Sequence, residues 1–261
     1  MKKHVFAICA YGESQYLEAC IRSIINQSYP SGVILVTATP NPHIRFLCKK
    51  YRIPIYINHG EHGITQDWNF AYTHAEATYI TIAHQDDIYC RDFARCTVQT
   101  LDRVPKPILS FTDYGELRNG RKVKHNRLLW IKRLLLAPLC VRRFQSSRFV
   151  RRLVLSFGSP ICCPSVTFVK KNCPSEIFQH GFRSNGDWQA WERLSKRDGA
   201  FVFCRGGFMY HRIHGDSQTS KLIGDQAREK EDLQMFCRFW PVWVARFLAR
   251  LYRFSEKSNQ L

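Results

Sequence analysis

The sequence lacks several features that would have settled its class early. No run of 18 or more apolar residues occurs, so no membrane-spanning helix is expected. No G-x-G-x-x-G follows the first strand-like segment, which argues against a dinucleotide fold, and no G-x-x-x-x-G-K-[ST] is present, which excludes a P-loop. The 11 cysteines contain no C-x-x-C pair, so a zinc ribbon is not expected and reduced thiols are. Acidic residues are absent from Leu117 to Ser175, and Arg and Lys fill that stretch. The segment Met1-Lys2-Lys3-His4 runs straight into the strand-like Val5–Ala10, too short for a signal peptide, so a cytoplasmic location is expected.

What is present is a chain of 261 residues, 45% hydrophobic, enough for one substantial core. The formal charge of +18 calls for an anionic partner: nucleic acid, an acidic membrane surface or a phosphorylated substrate. Apolar runs Val5–Ala10, Val33–Val36, Ile53–Ile57 and Thr78–Ala83 read as strands. Between them, Gln15–Gln27 (capped by Ser14), Asn41–Tyr51 and Thr65–Ala75 read as helices, and Arg91–Arg103 continues the alternation. Strands alternating with short helices predict an α/β fold with a mostly parallel, Rossmann-like sheet. Further on, Pro107–Phe111, Ser165–Val169 and Phe201–Cys204 are strand-like, Asp187–Lys196 helical and Arg205–Thr219 a polar loop.

The organising stretch is Thr78–Tyr89, TYITIAHQDDIY. A buried strand ends there in His84-Gln85-Asp86-Asp87. Two adjacent carboxylates at such a place need compensation, which a hard divalent cation would give. Ligands in open parallel sheets sit beyond the carboxyl ends of the strands. The plainer alternative is an acidic turn in which Asp86 or Asp87 caps the next helix.

Two other stretches mix apolar and basic residues. Asn126–Phe157 interleaves Leu128, Leu129, Leu134 and Val154 with Arg127, Lys132, Arg151 and Arg152. The tail from Ile223 on carries Trp243, Phe247 and Leu251 with Arg246 and Arg250. Both suit helices lying on anionic lipid. The alternative is a cationic insertion packed on its own domain.

The order of these motifs resembles family 2 glycosyltransferases of the GT-A fold, such as those of bacterial surface-polysaccharide assembly, over about His4 to Thr219. VFAICAYGESQYLEACIRSIINQSYP resembles the family's opening strand, turn and helix. HQDDIY stands where its metal motif lies, SNGDWQAW where the motif of the catalytic base lies, and HRIHGDSQT resembles its late histidine loop. The resemblance implies an inverting sugar transfer from a nucleotide sugar to an acceptor hydroxyl, with Mn²⁺ or Mg²⁺ as cofactor. Asp86, Asp87 and His214 would hold the metal, His211 being the lesser candidate, and Asp187 would be the base. Ala10, Tyr11, Glu13, Thr37, Thr39, Asp67, Trp68, Asn69 and Gln85, with Asp86, would line the donor site. Asp187 could instead be a helix N-cap and His214 an ordinary loop histidine.

Two motifs depart from the family pattern, the first at two places. The acidic motif after the second strand is replaced by Thr37-Ala38-Thr39-Pro40-Asn41, and Trp68 precedes Asn69 where an Arg is usual. The metal motif opens with His84 instead of an acid. The expected layout is a GT-A domain over 1–222, with a donor half at 1–115, a basic helical insertion at 116–157 and an acceptor half at 158–222. An amphipathic helical tail follows at 223–261. The expected partners are a nucleotide sugar, a saccharide or lipid-linked saccharide acceptor and the inner membrane face, without nucleic acid. Competing readings are a metal-dependent nucleotidyltransferase or phosphohydrolase, and a basic nucleic-acid-binding module.

Overall fold

A computed structural model describes residues 2–215 and 226–257. Four strands, β1 (Lys2–Ala10), β2 (Gly32–Thr37), β3 (Ile55–Ile57) and β4 (Ala77–His84), form a parallel sheet in the order β3-β2-β1-β4. Their connections are α1 (Leu17–Ile25), α2 (Pro42–Tyr51) and α3 (Ile64–His74). Parallel neighbours need a crossover, and each of these helices supplies one. β1 shows why both faces are covered. Phe6, Ile8 and Ala10 pack with α1 and α2, while Val5 and Ala7 pack with α3 and the second half of the chain.

β4 is the seam. Its other edge pairs antiparallel with β8 (Val166–Val169), which pairs antiparallel with β6 (Pro107–Arg118). β6 then runs parallel to β9 (Ala200–Ile213), whose far edge takes the two-residue β5 (Ile88–Tyr89). A short β7 (Arg121–Val123) folds back on β6. The sheet is therefore mixed: its first four strands are parallel, and its second half is joined to them antiparallel.

Local chemistry sets several boundaries. Asn41 caps α2 by accepting from the Ile44 amide at 2.9 Å, with Pro42 at the first helical position. α1 begins at Leu17, later than expected, because Ser14 closes a turn instead of capping: its hydroxyl accepts from the Tyr16 amide and its carbonyl from Leu17. α4 (Phe93–Asp102) follows β5. The larger corrections lie downstream. Residues 205–213 are not a loop but the second half of β9, because β6 continues past Phe111 and offers them a partner as far as Arg118. Asp216–Thr219, the end of that expected loop, lie outside the described residues, as does the start of the expected tail helix.

The expected helical insertion at 116–157 opens instead on the end of β6 and on β7, and is helical only from Arg127: α5 (Arg127–Leu136), a 3₁₀ turn over Ala137–Cys140, α6 (Arg142–Gln145) and α7 (Arg148–Leu155). α8 (Gly186–Ser195) buries Trp188 and Trp191 fully. The tail is two helices, α9 (Gln226–Cys237) and α10 (Val242–Lys257), separated at Pro241. Among the described residues no helix is long and apolar enough to cross a membrane.

Candidate active site

The carboxyl ends of β1, β2 and β4 meet in one polar rim. Gln85 ties β4 to β1: its side-chain oxygen accepts from the Tyr11 amide and its nitrogen donates to the Tyr11 carbonyl, both at 3.0 Å. The Gly12 amide donates to the Thr39 hydroxyl at 2.7 Å, joining the loops after β1 and β2. Gly12 has φ +60, a conformation that glycine adopts without strain. Thr37 is buried, and its hydroxyl accepts from the Thr39 amide. Ala10 is buried beneath this rim, whereas Tyr11 and Glu13 are exposed on it.

Neither Asp86 nor Asp87 caps a helix; α4 starts at Phe93 with Asp92 before it. Instead the end of β9 closes over the pair. His214 Nε2 lies 3.0 Å from Asp86 Oδ2, and His211 Nδ1 lies 3.0 Å from Asp87 Oδ1. The Arg212 amide donates to the same Asp87 oxygen at 2.9 Å, and its guanidinium donates to the Asp86 carbonyl and lies over the Tyr16 ring. His214 lies one residue past the end of β9 at Ile213, where the strand's alternation no longer applies, and so it can turn to the same acids as His211. Burial works to raise the Asp86 carboxyl, but the His214 bond and the charges of His211 and His84 outweigh it and hold the group below its ordinary value. Burial likewise works to lower His211, and the Asp87 carboxylate overrides it, so this imidazole is pushed up.

The donor set fits a divalent cation. His84, Asp86 and Asp87 offer ligand atoms within 4.8 Å of one another. Asp87 is fully buried, and its second oxygen has no hydrogen-bond partner; neither has His84 Nε2. An orphaned carboxylate oxygen at such depth is costly unless a cation meets it. Mn²⁺ and Mg²⁺ both accept carboxylate oxygen, and imidazole is better suited to Mn²⁺.

α3 and α8 bring the remaining residues alongside. Trp68 stacks on His84, ring centroids 5.0 Å apart and planes 9° from parallel. Asp67 is half-buried and accepts from Asn58 at 2.8 Å. Asn69 is committed elsewhere: its amide bonds the backbone of Ile177 and Phe178 three times, which fixes the loop before α8 instead of lining the rim. Gly186 lets the start of α8 press on α3, since a Cβ there would lie 2.6 Å from Thr65. Asp187 is therefore in the first turn of α8, whose N-cap position is Asn185, and its oxygen accepts from the Trp188 amide at 2.6 Å. Burial raises its carboxyl above the ordinary 3.8, only partly offset by that amide and by the charges of Lys132 and Arg228. Burial pushes the Cys162 thiol up, and the charges of Asp87 and Asp187 add to this, against Lys132.

Four contributors are not assigned to the site by the sequence. Lys132 reaches inward from the insertion to the Tyr114 hydroxyl at 2.9 Å, close enough to Asp187 to act on its charge. Glu231 of α9 accepts from the amides of Arg183, Ser184 and Asn185, and Asp232 from the Asn185 side chain at 2.7 Å. The tail thus holds the loop that presents Asp187. Nothing in the spacing around Lys132 or Glu231 could have revealed this, because each partner lies far away in sequence. Arg212 could have been found: in HRIH it follows the first histidine directly.

The sequence pattern of Glycosyl transferase family 2 matches residues 5–178. No curated protein matches the chain. Among solved structures, TarS of S. aureus (its residues 1–349) is similar at TM-score 0.61 and 14% identity, over 91% of this chain and 70% of that one. Against the longer TarS structure the match spans 42% of that chain. The mannosyltransferase PcManGT from Pyrobaculum calidifontis, in complex with GDP-Man and Mn²⁺, is similar at TM-score 0.62 and 13% identity, over 99% of this chain and 71% of that one. At these identities the likeness establishes the shared GT-A architecture.

Proposed function

This chain belongs to glycosyl transferase family 2 and is a glycosyltransferase that uses a nucleotide sugar, and on that premise we propose an inverting, metal-dependent hexosyl transfer to a lipid-linked saccharide. The observation that carries the reading is the Asp86–Asp87 pair at the end of β4, half-buried and fully buried respectively, clamped by His211 and His214 with one Asp87 oxygen left over. A basic nucleic-acid module has no use for such a pair, since acids repel phosphate.

In this reading the donor lies along the rim of Tyr11, Gly12, Thr37, Thr39 and Gln85, with its diphosphate toward Asp86. A divalent cation held by Asp86, Asp87 and His84, with His214 as a further ligand, supplies charge neutralisation to that diphosphate. Trp68, uncharged where an Arg is usual, packs beside the donor instead of pairing with it, and Asp67 contacts the sugar or base. Asp187 takes the proton from the acceptor hydroxyl; the acceptor oxygen bonds to the anomeric carbon as the carbon–diphosphate bond breaks. The nucleoside diphosphate carries away the electron pair. One displacement on one face inverts that carbon. A desolvated carboxyl with a raised pKa is a stronger base than an exposed one, which suits this role. Lys132 and Arg212 add positive charge around the developing anion.

The division of labour follows: residues 1–115 hold the donor, 158–222 the acceptor and base. The insertion and tail set the enzyme at the cytoplasmic membrane face in polysaccharide or glycolipid assembly. PcManGT carries GDP-Man with Mn²⁺, and TarS has been solved with UDP-GlcNAc, which supports a nucleoside-diphosphate sugar as donor class.

The test is thermal stability against a panel of nucleoside diphosphates and their sugars, with and without Mn²⁺, followed by product analysis. A ligand that binds only the folded state raises the midpoint. The expected result is a Mn²⁺-dependent rise with one nucleotide, lost in Asp86→Ala, and release of nucleoside diphosphate on transfer. Release of inorganic diphosphate instead would point to nucleotidyl transfer, and free phosphate to hydrolysis.

A further inference from the structure

The basic insertion divides its charge between two directions. Arg133 binds Asp113, Arg152 binds Glu192, and Arg151, fully buried, donates to the carbonyls of Arg197 and Gly199. These inward cations belong to the fold. The outward side is different. Of the exposed large hydrophobic residues among those described, six lie in the insertion and four on α10, against four in all the rest.

Their placement is regular. On α7 the buried side is Arg151, Val154 and Leu155; the opposite side carries Phe149 and Leu153, continued by Phe157, one turn apart, beside Arg148. On α10 Ala245 is buried and Leu248 and Ala249 pack inward. The opposite side carries Trp243, Phe247 and Leu251, again one turn apart, beside the exposed Arg246, Arg250 and Arg253. On α5 Leu129 and Leu136 are buried, while Trp130 and Leu134 face out beside Arg127. The end of α7 and the tail are neighbours: the Phe157 and Trp240 rings lie 5.6 Å apart, the Trp240 indole donates to the Ser156 carbonyl, and Gly158 abuts Tyr252 of α10; α5 joins α7 through the 3₁₀ turn Ala137–Cys140.

We propose that these outer stripes of α5, α7 and α10 form a single docking face for an anionic lipid bilayer. Charge complementarity selects that occupant. No carboxylate occurs from Leu117 to Ser175 or from Leu233 to Ser255, so apolar residues and arginines share the face with few acids; among the described residues Arg253 pairs with Glu229 at 2.9 Å and Arg148 lies 4.0 Å from Asp198. Each stripe pairs side chains able to enter the acyl boundary with guanidinium groups able to meet lipid phosphate. A water-soluble partner would not need three helices to repeat that arrangement. α5 links the face to the chemistry, because its other side sends Lys132 to Tyr114, near Asp187. The proposal rests on the transferase reading for its purpose, since an acceptor anchored in lipid would then approach beside α5. Its evidence is independent of that reading.

The test is flotation of the full chain with vesicles of phosphatidylcholine alone or mixed with phosphatidylglycerol, at low and high salt. The expected result is binding to the anionic vesicles that weakens with salt. Trp243→Glu with Phe247→Glu should weaken it at least about tenfold, and so should Phe149→Glu with Phe157→Glu on the other helix. Both variants are checked for an unchanged nucleotide-dependent thermal shift, which also confirms folding. Wild-type chain left unbound by anionic vesicles overturns the proposal, as does binding that both double variants retain. A concentration-dependent dimer in sedimentation that the same substitutions disperse, without vesicle binding, would assign the face to a second copy. Vesicle binding without any nucleotide shift would leave the face standing and remove the transferase reading.

Discussion

The two acidic centres, Asp86–Asp87 and Asp187, are built in opposite ways. Asp86 and Asp87 stand at the end of a strand, each met by an imidazole, and Asp86 is held below its ordinary value because its partners outweigh burial. Asp187 stands in the first turn of a helix, its carboxylate met by its own neighbour's amide, and burial wins. The same side-chain type is thus tuned down at one place and up at the other. A carboxylate kept ionised suits a cation and a diphosphate; one pushed up suits proton transfer. The difference teaches that partner count, more than depth, decides the role.

The comparison breaks most visibly by removing one centre at a time. Asp187→Asn should lower kcat by roughly 10² to 10⁴ fold, the usual worth of a positioned base. The nucleotide-dependent rise in thermal midpoint should stay. Asp86→Asn should do the reverse, abolishing the Mn²⁺-dependent rise first and activity as a consequence. Calorimetry with nucleotide and single-turnover assays on both variants separate the two. Equal loss of donor binding in both would mean the centres are one site.

The support of Asp187 can be broken without touching it. Glu231→Ala strips the acceptor from three backbone amides between Arg183 and Asn185. Leaving such donors without a partner should cost about 3 kcal/mol, a fall in midpoint of roughly 6–12 °C. kcat should fall further than the nucleotide-dependent shift, and Glu231→Gln should recover part of both. Unchanged kcat would mean the tail does not position the base.

Much of this was legible in the sequence and some was not, for physical reasons. The first four strands and three crossover helices were readable because each is a local pattern, a short apolar run or a face of period 3.6. HQDDIY was readable as a site because paired acids after a buried run are locally costly. β9 was misread past Cys204 because Arg205-Gly206-Gly207 looks like a turn. What keeps it a strand is β6, about a hundred residues earlier, which itself extends beyond the expected Phe111. Asn69 belonged to a plausible motif, yet its amide is committed to a loop that composition cannot place beside it. For the insertion the sequence leaves two readings, a lipid face or a packed module; its inward side packs on the domain, and a lipid face on its outward side is the proposal made above.

A gentler way to sharpen the comparison is pH. Asp86 is depressed in the fold, so its contribution to stability is present above the ordinary carboxylate value of 3.8 and is lost as pH falls through the lower folded value. Asp187 is raised, so its contribution is present below 3.8 and lost as pH rises through the higher folded value. At neutral pH, therefore, Asp187→Asn should raise the thermal midpoint by a few degrees while destroying activity, the usual price of a buried catalytic charge. Asp86→Asn should lower it. In the wild type, the acid limb of kcat/KM should lie above the range of an exposed carboxylate. Midpoints of the two variants moving in the same direction would remove the contrast.

The smallest expected effect comes from an acid with neither burial nor a closed set of partners. Asp198 meets Lys106 at 2.6 Å, but their side chains are 68% and 72% exposed. Its carboxyl is held low by that lysine, first through the hydrogen bond and then through charge. Water screens such a pair, and ordering two mobile side chains cancels most of the gain. Asp198→Ala should leave the thermal midpoint, the nucleotide-dependent shift and kcat within error, at any pH between 5 and 8. Its pKa is depressed like that of Asp86, so the direction of a shift cannot be what distinguishes a site. What Asp198 lacks is desolvation. A measurable loss in this variant would mean that pairing alone suffices, and the contrast between Asp86 and Asp187 would then rest on their partners without any share from burial.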